Sequence, residues 1–327
     1  MKEGSMSIED RLAYARLEFR KFRIPHPHVA RIAAELDVLR KVGQASRKEW
    51  EAKGSRGARI PQKLLAIIGP SQTGKSTSIQ NYLETVVAAE DHDDETEPVL
   101  HVTMSAQATT KSLGSDILEA YLDNDFDSGT ARSLLRRASI QIESARTDVL
   151  VLDEIHHLID NDKNGTTAWS VTETIKRMLI RGACPFLVMG TEKARPLLLN
   201  NPQFKGRTYA PIFLDPLDLA RPAERKTFIE HCAGFDLKLV EHGIFPKPSG
   251  LVRGEIPAAL YDVSQGVIGT ASAVFEAAAE IAIRGGRSVI ALDDISDAID
   301  DWAIPLQYTD YNPIAQGLRE IRPRKRA

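Results

Sequence analysis

Only two cysteines, Cys184 and Cys232, occur in 327 residues. They share no metal-ligand spacing and make no disulfide framework, which fits a reducing compartment. Aromatic residues are scarce at 6%, so a base-stacking platform for single strands has little to be built from. Charge of one sign is also lacking: 42 basic against 45 acidic residues leave a net −3. That balance excludes a histone-like polycation and leaves room for a local basic patch. No uncharged apolar run approaches the roughly 18 residues of a membrane span. The first residues, MKEGSMSIEDRLAYARLEFRKFR, lack the apolar core of a secretory signal. The expectation is a soluble, cytoplasmic protein with no membrane partner. Internal repeats and low-complexity tracts are missing as well.

What remains is ordinary globular composition, 43% hydrophobic and 27% charged, in a chain long enough for two domains. Residues 7–45 read as two helices. Ser7 and Asp10 form a capping pair before Leu12, Ala15 and Phe19, while Val29, Ile32, Ala33, Leu36 and Leu39 recur at helical spacing. Residues 54–62 (GSRGARIPQ) read as a linker. From residue 63 the short apolar runs KLLAIIG, VLHVTM, DVLVLD and PFLVMG alternate with helical patterns. This predicts an α/β fold, a parallel sheet covered on both faces. The acidic stretch 90–97 (EDHDDETE) reads as a solvated loop. After PIFLDPL (211–217) the strands stop. Residues 222–302 read as a helical bundle, broken near 246–254 and 285–287, with Val274, Phe275, Ala278, Ile281 and Ala282 on one stripe. The expected division is an N-terminal helical region (1–60), an α/β core (61–217), a helical lid (218–304) and a basic tail (305–327).

The chemistry concentrates at two motifs. Gly69, Pro70, Ser71, Gln72, Thr73, Gly74, Lys75 and Ser76, followed by Thr77, match the phosphate loop G-x-x-x-x-G-K-[ST]. Glycines let the backbone wrap a polyphosphate, and the helix that follows turns its positive end toward it. Lys75 is placed to reach the β- and γ-phosphates and Ser76 to ligate Mg²⁺, so ATP with Mg²⁺ is the expected ligand. The loop sits between an apolar strand and an amphipathic helix (Ile79, Tyr82, Leu83, Val86), as that mechanism requires. In VLVLDEIHHL, Asp153 and Glu154 stand at the C-terminal end of a buried strand, where ligands of parallel sheets bind. Asp153 can hold the Mg²⁺ shell and Glu154 can orient and deprotonate water; the bland alternative is that both acids cap the next helix. The adjacent acids favour hydrolysis by water over transfer to a small molecule. His156 and His157 read as packing or polar contacts, since a metal site needs three or four convergent ligands.

In order along the chain, GPSQTGKS, VLVLDEIHHL, FLVMGTEKARPLL, NPQFKGR and SQGVIGTASAVFEAAAEIAIRGG resemble the TniB/TnsC group of transposition ATPases, relatives of MuB within AAA+. The resemblance covers roughly residues 8–303. It implies that Thr191 is the polar residue sensing the γ-phosphate or the water, and that Arg207 is the arginine finger completing a neighbouring subunit's site. It implies rings or filaments of ATP-bound subunits around double-stranded DNA, a separate transposase as partner, and a target-selector protein as a further one. Loops after the second strand would line the channel, which places Thr110 and Lys111, with Ser112, near phosphate oxygens; helix capping at 110–112 is the alternative. Arg132, Arg136 and Arg137, and the tail's Arg322, Arg324, Lys325 and Arg326, are further basic groups that can equally be solvated faces. The strip Tyr311-Asn312-Pro313-Ile314 is one candidate for partner docking, the body of the fold another.

The function that follows is an ATP-dependent, DNA-binding regulator of transposition. The alternatives are another AAA+ module, related to initiators, clamp loaders or secretion ATPases, or a nucleotide-gated scaffold that hydrolyses little. One departure bears on the choice: where the family's pattern carries a sensor-2 arginine, the matching residue is Ala273. ATP is therefore expected to act more as a switch than as fuel. Steady-state turnover with saturating DNA should stay below tens per second, a rate common among enzymes; sustained faster hydrolysis would contradict this.

Overall fold

The computed structural model describes residues 6–93, 95–160, 166–200 and 202–320. The elements in chain order are α1 (Ile8–Phe19), α2 (Pro27–Ala52), β1 (Leu64–Ile68), α3 (Lys75–Thr85), β2 (Val99–Thr103), α4 (Thr110–Ala120), α5 (Ala131–Ser144) and β3 (Val149–Asp153). There follow α6 (His157–Asp160), α7 (Thr166–Arg181), β4 (Phe186–Gly190), α8 (Arg195–Asn200), α9 (Pro202–Lys205) and β5 (Ile212–Phe213). The rest is helical: α10 (Pro222–Glu241), α11 (Ile256–Ser264), α12 (Ile268–Arg284), α13 (Leu292–Ala298) and α14 (Pro313–Gln316). By contacts the chain divides into two compact units, one of Met1–Pro27, Gln72–Gly74 and Asp215–Ala327, the other of His28–Ser71 and Lys75–Leu214.

The second unit is built on a parallel sheet in the order β2-β3-β4-β1-β5. The four apolar runs of the sequence are β1 to β4, and PIFLDPL supplies the short β5. Every residue of β1, β3 and β4 is buried, because helices cover both faces. On one face Leu64, Ala66, Leu150, Leu152, Phe186 and Val188 pack with Leu113 of α4, Leu134 of α5 and Ile175 of α7. On the other, Leu65, Ile67, Val149, Val151, Leu187 and Met189 pack with Ile32, Leu36 and Leu39 of α2 and with Ile79 and Tyr82 of α3. The two sets alternate along each strand, the period of two that a pleat imposes. A one-residue slip would exchange the sets. Burying each such side chain contributes about 1.5–3 kcal/mol, so the register, and with it the position of every strand end, is firmly held. The N-terminal half of this frame is tied down by charge: Asp148, ahead of β3, bonds Gln44 at 2.8 Å and Arg47, and lies 3.5 Å from Arg40. Arg40 also grips Glu90 through both terminal nitrogens at 2.7 and 2.6 Å.

The first unit is helical. Ser7 caps α1 by accepting the Asp10 N–H at 3.1 Å, as the capping pair predicted. Leu12, Ala15 and Phe19 of α1 join a core with Phe228, Phe235, Val274, Phe275 and Ala278. Arg16 of α1 holds Glu280 of α12 by two bonds at 2.8 and 2.6 Å. The break expected near 246–254 is organised by buried Asp236, whose carboxylate accepts the N–H groups of Ser249, Gly250 and Leu251 at 2.7, 2.7 and 3.1 Å. A further break separates α11 from α12: Gln265 takes a left-handed conformation at φ 52° and Gly266 follows at φ 76°, which ends a helix as an αL cap does. In this unit Gln72 accepts from Thr270 Oγ1 and donates to Tyr308 Oη, both at 2.8 Å. Among the described residues no single helix is long and apolar enough to cross a membrane; α11 and α12 pass by length and composition only as a pair bent by 118°.

Glu276 of α12 generates a stability prediction. Burial pushes its carboxyl up to about 7, the Glu280 charge adds to this, and Arg20 opposes it. A folded state that keeps a proton the unfolded chain releases loses stability as pH rises from the ordinary glutamate value to about 7, and levels off above it. Glu276→Gln removes that loss. Its melting temperature should exceed wild type by a few degrees near pH 8 and converge with it near pH 4.5; a constant offset across this range would refute the assignment.

Candidate nucleotide-binding site

β1 ends at Ile68 and α3 begins at Lys75, so the chain must turn within six residues. Gly69 is required where it stands: a Cβ there would lie 2.6 Å from the Leu214 carbonyl oxygen. Gly74 takes φ 82° and Gln72 φ 64°. Glycine adopts this left-handed region without steric cost, whereas Gln72 holds it under strain. Lys75 is buried, and its Nζ donates to the carbonyl oxygens of Gly69 and Pro70 at 2.8 and 2.7 Å. Burial holds its pKa below the usual lysine value, against the opposing charges of Asp153, Glu154 and Glu192.

Ser76 Oγ donates to Asp153 Oδ2 at 2.6 Å. The two meet because β1 and β3 flank β4 in a parallel sheet, so their C-terminal ends emerge on the same side. Burial pushes the Asp153 carboxyl up, but hydrogen bonds from His101, Ser76 and the Glu154 N–H together outweigh it and hold the group below the usual aspartate value. It is thus a carboxylate at neutral pH. With the Ser76 hydroxyl it presents oxygen donors of the hard kind that Mg²⁺ takes.

Glu154 follows β3 with φ 60°, a strained conformation of the sort found at functional turns. Its N–H donates to Asp153 Oδ1 at 2.8 Å, and its carboxylate lies 3.1 Å from His156 Nε2. His156 Nδ1 accepts the Thr191 N–H at 3.4 Å, which leaves the imidazole proton on Nε2, directed at Glu154. Thr191 follows β4, and its Oγ1 is buried with no hydrogen-bond partner among the described residues. His157 Nδ1 lies 3.0 Å from the Met104 carbonyl. The ligand atoms of Glu154, His156 and His157 lie within 4.8 Å of one another; Glu154 is the third group that the spacing of the two histidines alone did not reveal.

His101, in the middle of β2, also went unnoticed in the sequence. Its Nε2 is 3.3 Å from Asp153 Oδ2, because Thr103 pairs with Asp153 across the two strands and His101 sits one pleat back. The signal was there: a histidine interrupts the otherwise apolar run VLHVTM. Arg207 is half-buried on the segment leading to β5, and its carbonyl accepts the Leu64 N–H at 2.8 Å; among the described residues its guanidinium faces no carboxylate within ion-pair distance. At 110–112 the cap is shared between Thr109 and Ser112, each side chain bonding the other's backbone N–H. Thr110 Oγ1 is 3.0 Å from Ser170 Oγ, and Lys111 is exposed. Ala273 lies on α12 in the helical unit. The tail residues Arg322, Arg324, Lys325 and Arg326 lie outside the described residues.

The architecture matches solved structures. Aeropyrum pernix ORC2, in ADPNP and ADP complexes, aligns with a TM-score of 0.58 and 15% identity over 88% of this chain and 71% of that one. Cdc6p from Pyrobaculum aerophilum aligns at 0.57 and 16% over 87% and 70%, and Drosophila ORC bound to DNA at 0.56 and 15% over 94% and 69%. A comparison with curated proteins finds no match. The five-stranded parallel sheet with its phosphate loop and its helical unit has the fold of an AAA+ ATPase. The family model described as bacterial TniB protein matches residues 51–217, half of the chain, and the chain belongs to the TniB family.

An orphaned buried hydroxyl costs about 1–3 kcal/mol, and valine is close to threonine in shape. Thr191→Val should therefore melt at or above the wild-type temperature. A fall of several degrees would mean that the hydroxyl already has a partner in the free protein.

Proposed function

We propose that this chain binds ATP at the loop Gly69–Thr77 and hydrolyses it slowly. The ATP-bound form assembles as a ring or filament on double-stranded DNA, where it recruits or activates a separate transposase. A target-selector protein is a further partner. The contact of Ser76 Oγ with Asp153 Oδ2 at 2.6 Å carries this reading, since it joins the two motifs that a triphosphate needs on one side of the sheet. Lys75, now folded onto the Gly69 and Pro70 carbonyls, turns to the β- and γ-phosphates. Ser76 and Asp153 would hold Mg²⁺, which when bound neutralises charge on the phosphates. Glu154 takes the proton of the attacking water, and the Thr191 hydroxyl fixes that water or the γ-phosphate. Arg207 acts on a neighbouring subunit's nucleotide, where a guanidinium stabilises the transferring phosphoryl group.

Slow turnover has a physical basis in this geometry. Glu154 is engaged by His156 through one carboxylate oxygen, and a hydrogen bond to the ionised form makes the group a weaker base. The alanine at position 273 points the same way. DNA binding is supported by the exposed Lys111 and by the same fold in Drosophila ORC bound to DNA. Thr110 and Lys111, at the start of α4, would meet phosphate oxygens without reading sequence. TniB membership supports transposition as the process, and cutting and joining would belong to the partner.

Size-exclusion chromatography with a non-hydrolysable ATP analogue, with and without duplex DNA, tests the reading. Wild type should shift to a large species with nucleotide. Glu154→Gln should hold that species with ordinary ATP, Lys75→Ala should stay small, and Thr191→Val should lose at least about tenfold in turnover while still binding ATP. If Glu154→Gln and Lys75→Ala both assemble like wild type, nucleotide is not the switch and the proposal fails.

A further inference from the structure

The basic group at 132–137 divides in three dimensions. Arg137 is spent on Asp123, bonding both carboxylate oxygens at 2.5 and 2.6 Å. Arg132 and Arg136 instead line a cleft of about 790 Å³, and Arg177 and Arg181 of α7 line it with them. Each pair is spaced i, i+4 on its helix, about 6 Å along the axis, so all four guanidiniums serve one opening. Among the described residues the lining contains no carboxylate. Among the described residues Arg132, Arg136 and Arg181 have no carboxylate within ion-pair distance, and Arg177 is only 3.7 Å from Glu173, which Lys176 already holds at 3.2 Å.

Like charges spaced i, i+4 destabilise a helix, and two such pairs around one cleft repel each other as well. A protein carrying 45 acidic residues sets none of the described ones in this lining, which points to an anion supplied from outside. Leu135 and Met178 also line it, apolar surface that lowers the local dielectric and strengthens each guanidinium's hold on an anion. Among the described residues no aromatic ring lines the cleft, so it offers bases no stacking platform. The hydroxyl protons of Ser139 and Thr174 are already given to backbone carbonyls at 2.8 and 2.9 Å. Recognition therefore falls to the arginine forks, whose planar geometry suits phosphate oxygens. Thr110, at the start of α4, stands on the rim.

We propose that this cleft between α4, α5 and α7 seats the sugar-phosphate backbone of duplex DNA, with Arg132, Arg136, Arg177 and Arg181 as the phosphate contacts. The inference rests on the DNA-binding reading above and adds the site. It assigns most of the grip to arginines of α5 and α7, with Lys111 beside them rather than alone. Binding through phosphates alone is indifferent to sequence and steeply salt-dependent.

The test is fluorescence anisotropy of a labelled random-sequence duplex with the full chain and a non-hydrolysable ATP analogue, over a range of NaCl concentrations. Each phosphate contact contributes about 0.9 to the slope of log affinity against log salt. The double variants Arg132→Gln/Arg136→Gln and Arg177→Gln/Arg181→Gln should each lower the slope by about two and weaken binding about tenfold or more at moderate salt. Arg137→Gln should leave the slope unchanged. If wild type binds and both double variants keep its slope and affinity, the cleft is not the DNA seat and the inference alone falls. If those variants keep DNA binding but lose the transposase, the cleft takes an acidic protein segment, which also overturns it. If wild type binds no duplex in any nucleotide state, the DNA-binding reading falls and the inference with it.

Discussion

The hydrogen bond from Ser76 to Asp153 is the interaction on which the site depends. It joins the first turn of α3 to the tip of β3, two segments 77 residues apart in sequence. Neither segment would hold its position alone. The parallel pairing of β1 and β3 with the strand between them aligns their ends, and the two packed faces of the sheet fix that pairing. An apolar pattern with a period of two therefore determines where a hydroxyl and a carboxylate meet. The polar contacts around them refine the placement: His101 and the Glu154 N–H keep Asp153 ionised despite its burial.

Glu154 and Thr191 show how the same frame stores an unfinished arrangement. Both follow the ends of neighbouring strands, and His156 lies between them, accepting from the Thr191 backbone and facing the Glu154 carboxylate. The left-handed backbone of Glu154 and the hydroxyl of Thr191, unpartnered among the described residues, are costs that the free protein carries. Such costs persist where the surrounding structure over-determines them, and they collect at functional sites. Nucleotide would give the hydroxyl a partner and the glutamate a reason to leave the histidine, so binding and rearrangement would be linked.

Much of this was legible in the sequence. The strands announced themselves because both faces of the sheet are covered, which makes each a continuous apolar run. The turn from β1 into α3 and the two acids at the tip of β3 were legible because each falls in a short contiguous stretch of particular residue types. Contacts that depend on which strands become neighbours were not. His101 reaches Asp153 only through the β2–β3 register, and His156 reaches Thr191 only because β3 and β4 pair. At the break before α12 both Gln265 and Gly266 take the left-handed turn, and only the glycine is a signal that sequence carries. The arginine cleft was half visible: one helix contributed a basic cluster to the reading, but nothing in sequence paired α5 with α7 or turned Arg137 away to Asp123. Arg207 illustrates the remaining gap, since among the described residues no carboxylate lies within ion-pair distance of its guanidinium.

Calorimetric titration of ATP into the wild-type chain and into Asp153→Asn, each with and without Mg²⁺, tests the central claim most directly. The account predicts that Mg²⁺ tightens ATP binding to wild type by about tenfold or more and that Asp153→Asn loses this gain. No heat of binding in wild type, or an undiminished Mg²⁺ effect in the variant, would contradict it.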